Sequence, residues 1–520
     1  MRKGIREIAG RFFVFGAGTN GEKGAIPPEL LEWSRKGVSG VIFFARNLVE
    51  PLQVWNLTRL VRELFPFEPF IMSDEEGGDI KRLTSGVTRG INALGLAATG
   101  DPENARRMTQ AIGEDLRAVG INTALSPVLD VNSESENPII GSRAFSDRPE
   151  TVIEYARPYA QGFKEFGILT VGKHFPGHGP AKVDSHLDLP VVDLSRGQLE
   201  EHLRPFATLV REGLLDMILS AHILYPQISD EPATLSRVFL TEILRKDLEF
   251  DGLAITDCME MNAMKVRFGV ERATVRAFNA GMDLILISHT PELQRKAMAA
   301  FIDAVESGEI SYRRVEESLE RIERVRSRLY AQTPRSERSL PFSQVVDYFG
   351  RKTEELDMKL AEESIAIHHG EMRPYLKDEP IFVFDFMPTI TGIGEENTTA
   401  IAMKTAFGER FAQFDYYTLP YAESAKEVLD RIEGKRGRMI LITRTRGKAP
   451  AQKVQDLLNT LCERFPDNLH VSGRDPYDIS VVERSKTAIA TFGLSPYQLK
   501  GLMRVLSGDS TPKGRMPTML

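Results

Sequence analysis

The chain has 520 residues, 42% of them hydrophobic and 27% charged, with a formal net charge of −7. That length exceeds one ordinary core and implies two domains, one of them large. So mild a charge gives no reason to expect nucleic acid, whose partners carry a basic face, and two cysteines, Cys258 and Cys462, build neither a disulfide framework nor a zinc ribbon.

The N-terminus "MRKGIREIAGRFFVFGAG" is basic, but its apolar run is short and broken by arginine, so it reads as a first strand rather than a signal peptide. No stretch approaches the ~20 apolar residues of a membrane helix. A cytoplasmic, monomeric protein with no membrane association is expected. Further strands are predicted at "VSGVIFFA" (38–45), "PFIMSD" (69–74), "TALSPVLD" (123–130), "ILTVGKHF" (168–175), "LDMILSAH" (215–222), "GLAITD" (252–257) and "MDLILIS" (282–288). These near-continuous apolar runs suit strands buried on both faces. Helical stretches such as "DPENARRMTQAIGEDLRAVG" and "SRGQLEEHLRPFATLVREG" lie between them. In the second, Ser195 suits an N-cap and Gly213 a stop. About eight such units predict a TIM-type (β/α)8 barrel over residues 1–335. A Pro/Ser-rich linker, "TPRSERSLPFSQ" (333–344), follows. Residues 345–520 are expected to form a smaller α/β sandwich, with strands at "PIFVFDF", "RMILITRT", "NLHVSG" and "TAIATFG".

Polar residues gather where the barrel strands end: Asp74, Asp130, Lys173, His174, His222 and Asp257. Active sites of such barrels sit at those ends. The densest cluster is "KHFPGHGPAKVDSH" (173–186), with three of the nine histidines of the chain. A catalytic zinc site is disfavoured, because Pro176 and Gly177 break the helix that would pair His174 with His178. Asp184 beside His186 is suited to proton transfer, the carboxylate holding the ring's tautomer; the same residues also order turns. Asp257, fixed at a strand end, suits a nucleophile, and glycoside cleavage with retention needs one nucleophile and one acid/base. In "IMSDEEGGDIKRL" Asp74 and Arg82 offer hydrogen bonds to sugar hydroxyls, and Arg143 in "IIGSRAFSD" offers the same. Either arginine also suits an ion pair.

Taken together, "GKHFPGHG", "DSH", "AITDCMEM", "SDEEGG", "NPIIGSRAFSD" and "AHILYPQ…EPATLS" resemble glycoside hydrolase family 3, in its β-N-acetylglucosaminidase branch. The resemblance covers nearly all of residues 1–335. It implies that Asp257 attacks the anomeric carbon to form a glycosyl-enzyme. It implies that His186, assisted by Asp184, protonates the leaving oxygen and later activates water. Asp74, Arg82, Arg143, Lys173 and His174 would hold a terminal N-acetylglucosamine, His178 would brace the loop, and muropeptides are candidate substrates. No metal and no cofactor are implied. "AEESIAIHH" (361–369) and "YQLKGLMRVLSGDSTPKGRMPTML" (497–520) are similar to the family's accessory sandwich. Two departures, Glu75 and Asp79, are expected to add negative charge near the site. The alternatives are a phosphorylase on the same scaffold and a non-catalytic sugar-binding protein.

Overall fold

The computed structural model describes residues 4–18, 22–185, 187–332, 340–351, 354–387, 395–420, 425–447 and 450–520. Eight parallel strands form the first domain: β1 (Phe13–Gly16), β2 (Gly40–Phe43), β3 (Phe70–Ser73), β4 (Thr123–Ala124), β5 (Leu169–Phe175), β6 (Met217–Ser220), β7 (Leu253–Thr256) and β8 (Ile285–Ile287). They pair in chain order, and β8 also pairs with β1. A bridge between Ile255 and Leu284 joins β7 to the strand leading into β8 and closes the barrel. Every residue of these strands is buried, which is why the sequence shows apolar runs without alternation.

Two barrel helices show how local chemistry sets a boundary. The helix Pro102–Val119 starts on Asp101, whose side chain accepts from the Glu103 N–H at 3.0 Å, and stops at Gly120 in the left-handed region. The helix Arg196–Arg211 starts with a reciprocal capping box between Ser195 and Gln198. One expectation needs correction. The predicted strand over 123–130 pairs only at Thr123–Ala124 and again at Val128, opposite Lys173. Pro127 has no N–H to give the ladder, so the chain leaves it and returns.

The second domain holds a six-stranded sheet: β9 (Ala366–His369), β10 (Ile381–Met387), β11 (Phe414–Pro420), β12 (Arg438–Thr443), β13 (Asn468–Ser472) and β14 (Thr487–Ala490), in the order β9-β14-β13-β12-β10-β11. All neighbours are parallel except β9 with β14. Strands β9 and β11 escape the sequence reading. Alternate residues face two separate cores. Ile381, Val383, Ile440 and Ile442 enter one, and Phe382, Phe384, Met439 and Leu441 the other. The expected linker 333–344 falls mostly outside the described residues, and its last part is already helical, within Phe342–Gly350. Leu94 and Ala98, on the barrel helix Ala93–Ala98, pack against Ile479 and Phe492 of the second domain.

Candidate active site

A cavity of about 450 Å³ opens at the carboxyl ends of the barrel strands, at the small end of the range for ligand sites. Asp74, Arg82, Arg143, Lys173, His174 and Asp257 all line it, together with His178 and Ser185.

One wall is a compact charge network. Asp74 follows β3 directly, and Glu76 stands two residues on. Lys173, on β5 and 3% exposed, lies 3.0 Å from Asp74 and 2.6 Å from Glu76. Arg82 donates to Asp74 at 3.0 and 3.3 Å. Arg143 grips Glu76 with two bonds, at 2.9 and 2.8 Å. Burial opposes charge on both carboxyls. At Asp74 the Lys173 and Arg82 charges overcome it and hold the acid well below the usual range. At Glu76 the Arg143 and Lys173 charges do the same, to about 2. Both carboxyls thus favour their ionised forms and are paired before any ligand arrives, the preorganisation a polar site needs.

A second network orders the histidine loop. Asp130, fully buried, receives the His174 ring at 2.7 Å and the His178 N–H at 2.5 Å. His174 presents its other ring nitrogen to Arg143 at 3.3 Å. His178 reaches Ser185 Oγ at 3.1 Å. Burial and the neighbouring His174 push the His178 ring down to about 4. Burial thus favours its neutral form, and its bonds to Asp130 and Ser185 brace the loop. Asn137 fastens this loop to the Arg143 segment, donating to the carbonyls of His178 and Gly179 at 2.8 and 3.0 Å. Asp184 precedes Ser185, half buried, and its carbonyl accepts from Leu187 and Asp188. His186 lies outside the described residues.

Asp257 follows β7 and is half buried in the cavity wall, where Oδ1 accepts the Cys258 N–H at 2.7 Å. Cys258 lines the same cavity, but burial pushes its thiol up to about 12. A thiol so shifted favours its protonated form at neutral pH, which makes it a poor nucleophile. His222 is not among the lining residues. It meets Thr234 Oγ1 at 2.8 Å and the Cys258 carbonyl at 3.1 Å, steadying the turn after Asp257.

Of the two expected negative charges, Glu75 is absent from the cavity lining, whereas Asp79 lies beside it, paired with an arginine. Glu75 adds none to the site, because it is fully buried against Lys81 at 2.5 Å, away from the cavity lining. Asp79 faces Arg474 of the second domain at 3.4 Å. Residues that sequence reasoning missed include Glu76, Glu260, His289, Arg446 and Arg474. The last four all line the cavity. Glu76 was recoverable, since positions 74 and 76 share one side of an extended chain. His289, just beyond β8, carried the same strand-end signal. Arg446 and Arg474 also follow predicted strands, but in the second sheet, and nothing local says that those ends meet the barrel cavity.

A closed eight-stranded barrel with a small charged cavity at its strand ends is the architecture of a barrel enzyme. Residues 29–325 match the model of the glycosyl hydrolase family 3 N-terminal domain, and the chain belongs to that family. It is 33% identical over 344 residues to beta-hexosaminidase A of Pseudoalteromonas piscicida, a match spanning 61% of this chain and 57% of that protein. Its fold superposes on a family 3 β-N-acetylglucosaminidase from Paenibacillus sp. str. FPU-7 with a TM-score of 0.85 and 29% identity, covering 100% of this chain and 99% of that one. A structure of the beta-glucoside phosphorylase BglX shares the fold, with a TM-score of 0.82 at 20% identity, over 99% of this chain and 94% of that one.

Proposed function

We propose that the chain is an exo-acting, retaining β-N-acetylglucosaminidase that removes terminal β-linked N-acetylglucosamine. The observation that carries this reading is a shared cavity. Asp257 lines the same small space as the hydroxyl-binding set Asp74, Arg82, Arg143, Lys173 and His174. The beta-hexosaminidase and β-N-acetylglucosaminidase names of its relatives support the choice of sugar.

In this mechanism the paired network of Asp74, Lys173, Glu76 and Arg143 orients one sugar ring. Asp257 attacks the anomeric carbon as the glycosidic C–O bond breaks. His186, with Asp184 stabilising its charged form, gives a proton to the departing oxygen. Water then attacks the anomeric carbon, losing its proton to His186 as the bond to Asp257 breaks and frees its carboxylate, and retention follows from the two displacements. Muropeptides in cell-wall recycling, in the cytoplasm, are the proposed natural substrates. Arg446 and Arg474 beside the cavity suit leaving groups that carry carboxylates.

The deciding measurement compares an aryl β-N-acetylglucosaminide with the matching aryl β-glucoside. Faster cleavage of the glucoside would overturn the sugar assignment. His186→Ala is expected to cripple poor leaving groups and spare good ones. Equal slowing of both in the glycosylation step would remove the imidazole from the acid role. Phosphorolysis is a second reading, favoured by the guanidinium groups around the cavity. It predicts a sugar phosphate when phosphate is added, whereas hydrolysis yields the free sugar with or without it.

A further inference from the structure

The second domain reaches the cavity through the loops that follow β12 and β13. Arg446 stands in the first and Arg474 in the second, and both line the cavity. Beside Arg474 is Asp475, a carboxylate only 3% exposed. Its Oδ1 accepts the backbone N–H of Ser142 at 2.8 Å, and its Oδ2 accepts that of Gly447 at 2.9 Å. Its own carbonyl accepts the Thr445 hydroxyl at 3.0 Å and the Ser472 hydroxyl at 3.2 Å. One residue therefore joins a barrel loop to both cavity-lining loops of the second domain.

The barrel loop it holds is the turn Gly141–Arg143. From that turn Arg143 grips Glu76 and touches His174. The fit leaves no spare room. A Cβ on Gly141, at φ +45°, would fall 2.3 Å from Oδ2 of Asp475. A Cβ on Gly447, at φ +66°, would fall 2.2 Å from the carbonyl oxygen of Asn137. Both glycines occupy the left-handed region that other residues avoid. Asn137 in turn fastens the histidine loop. The contact between domains is thus built on the segment that carries the substrate ligands. Burying a carboxylate on backbone amides is costly, and here that cost falls where one loop must be held in register with another.

We propose that Asp475 is a positioning residue through which the second domain sets Arg143, and with it the network of Arg143, Glu76 and Lys173. Asp475 touches neither the substrate nor the reacting atoms; it acts through the Ser142 N–H. The proposal rests on the glycosidase reading, because its readout is turnover.

A double-mutant cycle tests it. Wild type, Asp475→Ala, Arg143→Ala and the double variant are compared on an aryl glycoside with a good leaving group, using the full chain. Thermal midpoints are recorded alongside. Asp475→Ala is expected to lower kcat/KM by about 10–100-fold in the wild-type background and less than about threefold in Arg143→Ala, since coupled groups are not additive. Its effect on the midpoint should be the same in both backgrounds. Asp475→Asn keeps one acceptor oxygen and should recover at least about tenfold of the loss. If Asp475→Ala does not fold, the Asn variant is carried through the same cycle. Equal losses in the two backgrounds would overturn the proposal, marking Asp475 as a general structural strut. A wild type that cleaves the glucoside but not the N-acetylglucosaminide overturns the sugar assignment and leaves the cycle valid on the glucoside. A wild type that cleaves neither overturns both.

Discussion

Under the proposed mechanism, the backbone position of Asp257 selects its chemistry. The strand before it is buried on all sides, so its Cα is fixed, while its side chain enters a cavity already crowded with paired charges. Under the proposed mechanism Asp257→Ala is expected to lower turnover by roughly 10⁴-fold, the scale for losing one member of a catalytic set. Circular dichroism should show the fold intact, and added azide should restore a glycosyl azide of inverted configuration. Substantial residual activity without that product would sink the nucleophile assignment. Strand-end position made Asp257, Asp74, Lys173 and His174 readable from sequence. Glu260, Arg446 and Arg474 were not, because nothing in their local pattern says which cavity they face.

Helix ends and short turns hold the loops that hold the site. Asp101 satisfies an amide at the start of Pro102–Val119, so Asp101→Ala is expected to cost about 1 kcal/mol, read as a shift in the urea midpoint. No shift would mean the cap is redundant. In the second domain, Asp478 lies in the short helix Pro476–Val481 next to the Asp475 loop. Burial pushes its carboxyl up to about 6, against the hydrogen bonds of Ser472, Thr443 and Thr445. Its folded pKa exceeds the unfolded value of 3.8, so its stability contribution is fully present below that value and is lost as pH rises through about 6. Asp478→Asn is therefore expected to help more at pH 8 than at pH 5, by on the order of 1 kcal/mol. Thermal melts at the two pH values check this, and an equal gain at both would contradict it. Glu76 carries the opposite sign. Its contribution is present above its unfolded value of 4.5 and is lost as pH falls through about 2.

The two domains join beside the cavity, where Asp475 holds Ser142, and also along a surface away from the cavity lining. Leu94 and Ala98 bury against the second domain, Asn92 donates to the Phe492 carbonyl at 2.7 Å, and Asn132 reaches the Tyr477 hydroxyl at 2.7 Å. A chain ending after residue 335 would expose those apolar side chains and lose Arg446, Arg474 and Asp475 together. It is expected to aggregate more readily and to lose at least about tenfold in kcat/KM. Size-exclusion chromatography and the aryl-glycoside assay measure both. Full activity from a monodisperse barrel would show that the second domain is dispensable.

The amino-acid sequence by itself determined the barrel, the order of its strands, and the side chains at their carboxyl ends. It could do so because continuous apolar runs and strand-end polarity are local patterns that survive any tertiary arrangement. It also carried the second sheet in outline, missing the edge strands β9 and β11, which mix polar with apolar residues. Only the tertiary structure decided which charges neutralise one another. Glu75 and Glu76 are neighbours in the chain, yet one is sealed against Lys81 and the other is shared by Arg143 and Lys173. It also decided that Arg446 and Arg474 line the cavity and that Asp475 ties their loops to the barrel. Their place depends on how two separately wound sheets dock, and docking is set by shape and buried contacts between segments hundreds of residues apart, which no window of sequence contains.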